Sequence, residues 1–197
     1  CLLMLSFSHM AVADNHCPEP ALSVKEGPVT TVNEENYSLA ETQIIFADYV
    51  QKIAAATCGG GVGQLMHLRD TADPTDRTIL RINFDTIYSF LILDLSTPAT
   101  IVMPETNGRY QSAEVIDEEH YIPFILQEPG RYELTQENVG GQYAIVIFRT
   151  QVNMGDEEDL KAVHALQDQV QVEQAEPGSY VVSDAWDMDE IRAMRKA

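Results

Sequence analysis

At 197 residues the chain is long enough for one well-buried core, and it shows no internal repeat that would divide it into two full domains. Its 31 acidic against 12 basic residues give a formal net charge of -19, which argues against a nucleic-acid partner because phosphate-backbone binding needs clustered cations. With 45% hydrophobic residues, that charge sits on a folded protein and serves its solubility, and a disordered acidic tail is set aside.

The first residues read as an export signal. Leu2 to Met10 is an apolar run too short to span a bilayer, and Ala11-Val12-Ala13 puts small residues where a signal peptidase reads them. Residues 1–13 are therefore expected to be a signal-peptide remnant, cut inside the signal because the chain opens on Cys1 without the usual basic start. A periplasmic or secreted location follows. No later stretch approaches the roughly 20 apolar residues of a membrane span, so none is expected in the mature chain. In that compartment Cys17 and Cys58 either bridge the N-terminal arm to the end of the first helix or stay as two thiols, and both readings remain open. Two cysteines without CxxC spacing do not make a zinc or thioredoxin-type centre.

Residues 14–37 carry Pro18, Pro20, Gly27 and Pro28 without sustained periodicity and read as an extended arm. Residues 38–197 read as a single β-rich domain. It opens with Ser38-Leu39-Ala40-Glu41, which has capping-box spacing, and Ile45, Phe46, Tyr49, Val50 and Ile53 then form one helical stripe that Gly59-Gly60-Gly61 ends. Those glycines are a connector and not a phosphate loop, since no Lys-Ser/Thr follows and a helix stands where a strand is required. From Thr78 to Val152 the period changes to two. Strands are expected over Thr78 to Ile82, Thr86 to Leu95, Ala99 to Met103, Arg109 to Asp117, Tyr121 to Leu126, Arg131 to Thr135 and Gln142 to Thr150. Thr97-Pro98, Thr106-Asn107-Gly108, Pro129-Gly130 and Gly140-Gly141 supply the turns between them. Ile87 to Leu95 is apolar on both faces and reads as a central strand. Asp156 to Asp159 then begins a helix with Leu160, Val163, Leu166 and Val170 on its buried side, and Asp187 to Glu190 begins another before the chain ends inside a helical pattern, as a C-terminally truncated domain would. The expected architecture is mainly β: an antiparallel sandwich or jelly-roll-like sheet, with an N-terminal helix and two C-terminal helices packed at its edges.

On an extended strand Arg81, Asn83 and Asp85 share one side, so a cation, an amide and a carboxylate line a polar face. The competing reading has Asn83 and Asp85 capping the turn into the next strand, with Arg81 paired to Asp85. A second cluster joins Arg109 to Asp117, Glu118, Glu119 and His120 at the far end of one hairpin, and Arg149 closes the last strand within reach of Asp85 or Asp117. His67 and His120 lack the His-x-His spacing of a cupin, so no metal and no cofactor are expected. No Gly-x-Ser-x-Gly elbow is present, and Ser89 lies mid-strand, where a hydroxyl bonds to a neighbour.

The order His67-Leu68-Arg69, Arg81-Ile82-Asn83-Phe84-Asp85-Thr86-Ile87-Tyr88-Ser89, Leu93-Asp94-Leu95-Ser96, Pro104, Gly108-Arg109-Tyr110, Ile116-Asp117 and Arg149-Thr150 resembles the bacterial domain-of-unknown-function family 1254, from about Ser38 to Lys196. The resemblance implies an exported β-sandwich, commonly followed by a second β-domain of the sister family 1214, and it implies no settled activity. Three functions are carried forward. The first is binding of a small polar ligand or glycan in a groove lined by Arg81, Asn83, Asp85, Arg109, Asp117 and Arg149. The second is a hydrolase-like enzyme with Asp85 or Asp117 as general base. The third is an interaction subunit whose sheet packs against a companion β-domain.

Overall fold

The computed structural model describes residues 17–70 and 83–195. Along the chain it forms β1 (Leu22–Val24), β2 (Val29–Thr30), α1 (Tyr37–Thr57), β3 (Met66–His67), β4 (Thr86–Asp94), β5 (Ala99–Met103), β6 (Gln111–Asp117) and β7 (Phe124–Leu126). There follow β8 (Gly130–Leu134), α2 (Gln136–Val139), β9 (Tyr143–Gln151), α3 (Glu157–Gln167), β10 (Gln171–Gln174), β11 (Tyr180–Val182), β12 (Ala185–Trp186) and α4 (Met188–Met194). The fold is mainly β with four helices, and no closed barrel forms among the described residues.

A five-stranded sheet runs β3-β4-β9-β6-β7 with every pairing antiparallel, and a three-stranded antiparallel sheet runs β10-β5-β8. β4 is the expected central strand. It pairs with β9 along its whole length, from Thr86 opposite Gln151 to Asp94 opposite Tyr143. Strand alternation sends Leu91 and Leu93 to one face, where they share a buried cluster with Val115, Val146 and Phe148 and with Ala99, Ile101, Met103 and Leu134 of the smaller sheet. Phe90, Ile92 and Ile145 point to the other face and pack with Phe46, Val50 and Ile53 of α1 and with Tyr180 and Val182 of β11. The helix thus covers the β3–β4 side of a sheet face, because its apolar stripe finds its complement there.

The arm contributes structure too. β1 pairs parallel with β11 and β2 parallel with β12, so chain segments more than 150 residues apart close against each other. Cys17 and Cys58 form a disulfide with Cα atoms 4.9 Å apart, tying the arm to the end of α1.

Local chemistry corrects several expectations. Ser38 does not cap α1: Asn36 holds the N-cap position, and the Asn33 side chain accepts from the Glu35 and Asn36 backbone N–H groups in the turn before it. For Asn83 and Asp85 the shared strand face does not form and the alternative of a turn before the central strand does. The Asn83 side chain accepts the Asp85 N–H at 2.7 Å, an Asx-type turn that feeds the chain into β4. The hairpin around β6 begins at Gln111, two residues later than expected, because Arg109 is drawn out to α3, and β7 starts at Phe124, just after Pro123, which has no N–H to give a ladder. α3 ends at Gln167, so Val170 is buried beyond the helix. α3 and α4 begin as read, with the Asp156 and Asp187 carboxylates accepting two first-turn N–H groups each. The expected signal remnant, the strand over Thr78 to Ile82, and Arg81 lie outside the described residues.

Candidate functional site

A mainly apolar concavity lies on the α1 side of the five-stranded sheet. It is a cavity of about 510 Å³ between α1, β3, β4 and β9. The sheet gives it Met66, Tyr88, Phe90, Ile147 and Arg149, α1 gives Tyr49 and Lys52, and the connecting segments give Leu68, Asp70, Asn83 and Met154. Tyr49 and Lys52 are three apart on the helix and face the same way, with the Lys52 Nζ 4.9 Å from the centre of the Tyr49 ring. The Tyr49 ring lies 4.6 Å from Phe90, and Tyr88 stacks on Phe90 at 6.2 Å, so three aromatic rings are continuous along the wall. Burial pushes the Tyr49 hydroxyl above its ordinary pKa, keeping it neutral at physiological pH.

Arg149 is the cation that the sheet itself contributes to this cavity. It faces Tyr88 across the β4–β9 pairing and stands with its guanidinium 5.7 Å from that ring. Glu114, on the neighbouring β6, approaches Nη2 only to 3.6 Å, beyond hydrogen-bond distance. The Arg149 Nε is buried and has no hydrogen-bond partner among the described residues. The side chain as a whole is 42% exposed, so the rest of the guanidinium remains open on the cavity side.

The other expected site residues sit elsewhere. Arg109 makes a two-pronged pair with the Asp159 carboxylate of α3 and also donates to the Gln151 carbonyl at 2.8 Å. The Arg109 hydrogen bonds, followed by the N–H of Asn153, hold the Asp159 carboxyl down at about 2. This pair bolts the Thr106–Arg109 loop to the start of α3 beside an open polar cleft of about 670 Å³. Asp117 is buried at the far end of β6, on the opposite sheet face from Arg149, where its carboxylate accepts from the Glu119 and Tyr121 N–H groups. Asp85 is exposed in its turn. Of the five expected residues that are described, the structure brings only Asn83 and Arg149 to one cavity.

Two further clusters hold the frame. His67 Nδ1 is 2.8 Å from the Ser89 hydroxyl, which also accepts from Gln167 of α3 at 3.0 Å, and burial, reinforced by Arg69, lowers the His67 pKa. Arg69 donates to the His164 carbonyl and to Gln167 and pairs with Asp168, while the His164 ring lies 2.8 Å from the Arg69 carbonyl. Ser89 is 2% exposed, so these contacts dock α3 and leave no open nucleophile. At the other end of the sheet the Tyr180 hydroxyl donates to Glu118 at 2.9 Å, and burial raises the pKa of both groups. Among the described residues no group of three or more His, Cys, Asp or Glu is placed to hold a metal ion, and no helix is long and apolar enough to cross a membrane.

The aromatic cavity had no local sequence signature, because its walls come from four elements spread between Tyr49 and Met154. The usable signal was narrower: Tyr49 and Lys52 at helical spacing, and an arginine on a strand otherwise apolar from Ala144 to Phe148.

No curated protein matches the chain. Among solved structures it is similar to the VPA0106 protein from Vibrio parahaemolyticus, with a TM-score of 0.50 and 18% identity over 71% of this chain, a likeness of fold alone. The match covers 36% of that protein, so this chain spans about a third of its length. A family model described as a protein of unknown function, DUF1254, matches residues 62–174, a span holding β3 to β10 and most of the cavity wall. On that match the chain belongs to the DUF1254 family.

Proposed function

We propose that this chain is a binding module that holds one small, largely apolar molecule in the cavity between α1 and the β4–β9 strands. The observation that carries this reading is the continuous Tyr49–Phe90–Tyr88 wall around a cavity of about 510 Å³, a size within the range of ligand pockets. A glycan or strongly polar ligand suits it less, since the polar groups expected to form a groove are dispersed: Arg109 is engaged with Asp159 and Asp117 with its own turn. The hydrolase reading is disfavoured by distance. Asp85 lies next to Val152 and Asp117 opposite Ala144, which puts the two carboxylates about 25 Å apart at the rise of an extended strand.

A second reading has its own observation. Ile125 of β7 and Tyr121 and Ile122 in the segment leading into it are exposed, β7 is at the edge of the five-stranded sheet, and a companion β-domain would cover such an edge. The facing of the five- and three-stranded sheets across one core supports a sandwich, in the jelly-roll-like form the family resemblance implies. The Cys17–Cys58 bridge supports a periplasmic or secreted location, where disulfides persist.

Calorimetric titration with the neutral probe 2-naphthamide tests the binding reading. The wild type is expected to show one saturable site. The Leu68→Trp variant, which fills the cavity with a partly exposed side chain, is expected to lose at least about tenfold in affinity. Absence of saturable binding, or equal binding by both proteins, contradicts the reading.

A further inference from the structure

We infer that the ligand of this cavity is an anion, an aryl or alkyl carboxylate whose charged end is taken by Arg149 in competition with Glu114. The inference rests on the binding reading above and adds the chemical class. An arginine facing an aromatic cavity usually has its donors filled by protein carboxylates or carbonyls. Here the Nε is buried and without a partner among the described residues, and the nearest carboxylate, Glu114, stays 3.6 Å from Nη2. The Arg149 side chain is 42% exposed, so the guanidinium end that Glu114 does not fill is open to a ligand carboxylate, which can make a charge-assisted pair with it.

The surroundings fit such an occupant. Lys52, on the cavity rim, adds a second cation, and the charges against it are Asp70 on the lining and Glu114 behind Arg149. Among the described residues the lining carries two cations, Lys52 and Arg149, and one carboxylate, Asp70, in a chain of net charge -19. The apolar body of the ligand would lie along Tyr49, Phe90 and Tyr88, and its carboxylate would reach the guanidinium that stands over Tyr88. Glu114 is the protein counterion of Arg149 and is the group that a ligand carboxylate would displace.

The test compares 2-naphthoate with 2-naphthamide, its neutral isostere, by calorimetry on the whole chain. The wild type is expected to bind naphthoate about tenfold or more tighter. Arg149→Leu is expected to erase that preference, so that the ratio of the two affinities falls to about one. Glu114→Gln is expected to raise naphthoate affinity about threefold. Arg149→Leu should fold, because it removes an unfilled buried donor and leaves apolar contact with Tyr88, and Arg149→Lys serves as a second variant that keeps charge and should keep part of the preference. Equal affinity of the wild type for both probes overturns the inference and leaves the cavity reading standing. Binding of neither probe overturns both. A preference that survives in Arg149→Leu overturns the role of Arg149.

Discussion

Removing the Cys17–Cys58 bridge should cost this protein a large part of its stability, and the size can be worked from the chain itself. The two cysteines are 41 residues apart. The loop-closure relation gives an entropy of about 13 cal/mol/K for a ring of that length, or about 4 kcal/mol at 25 °C, acting through the unfolded state. The bridge also anchors β1, since residues just after Cys17 hydrogen-bond across to Gly60 and pair with β11. For a chain of this size about 4 kcal/mol corresponds to a fall in Tm of roughly 8–16 °C. The assay is guanidinium unfolding of the wild type, of the wild type in reductant, and of a Cys17→Ser/Cys58→Ser double variant. The last two are expected to agree with each other and to show a lower midpoint with a slightly larger m, as an unconstrained unfolded chain exposes more surface. A loss under about 1 kcal/mol would refute the ring-closure reasoning, and three reactive thiols in unreduced unfolded protein, in place of Cys1 alone, would refute the bridge.

Three further outcomes follow from individual side chains. Because the folded Asp159 carboxyl is held at about 2, below its ordinary value near 3.9, its pair with Arg109 stabilises fully above about pH 4 and loses that contribution as pH falls toward 2; stability–pH curves should therefore converge in acid for the wild type and Asp159→Asn, after differing by about 1–2 kcal/mol at pH 7. Glu118 has the opposite sign: burial raises its pKa, so its protonated form favours folding and stability falls as pH rises through the folded pKa. Glu118→Gln, which can still accept from Tyr180, should remove that fall and melt no lower than the wild type at pH 7. Gly61→Ala should destabilise by about 3 kcal/mol in denaturant melts, since Gly61 has φ +86° and an added Cβ would overlap the Val50 carbonyl of α1; a cost under about 1 kcal/mol would mean α1 yields there.

The long strands were legible because each carries its own signal. β4, β5 and β9 alternate or are apolar throughout and are bounded by turn residues such as Thr97-Pro98 and Gly140-Gly141, so local pattern and tertiary burial agree. β1, β2, β11 and β12 were not legible. Each has two or three residues, too few for a period to register, and each forms only because a partner at the other end of the chain arrives beside it. The site shows the same division. Arg149 could be singled out on an apolar strand, and of the two readings open for Asn83 and Asp85 the turn holds, because the local side-chain hydrogen bond wins over extension. Asp117 and Arg109 carried the right chemistry for a site and are spent on a turn and a helix start, a choice that depends on α3 arriving from 50 residues away.

The most direct measurement uses the methionines. Met66 and Met154 line the aromatic cavity, while Met103 is buried between the two sheets and Met188 lies on α4. In a protein carrying 13C-methyl methionine, titration with 2-naphthoate should shift the Met66 and Met154 methyl resonances together and leave Met103 and Met188 in place. Shifts confined to Met103 or Met188, or no saturable shift at Met66 and Met154, would contradict the assignment of this cavity as the binding site.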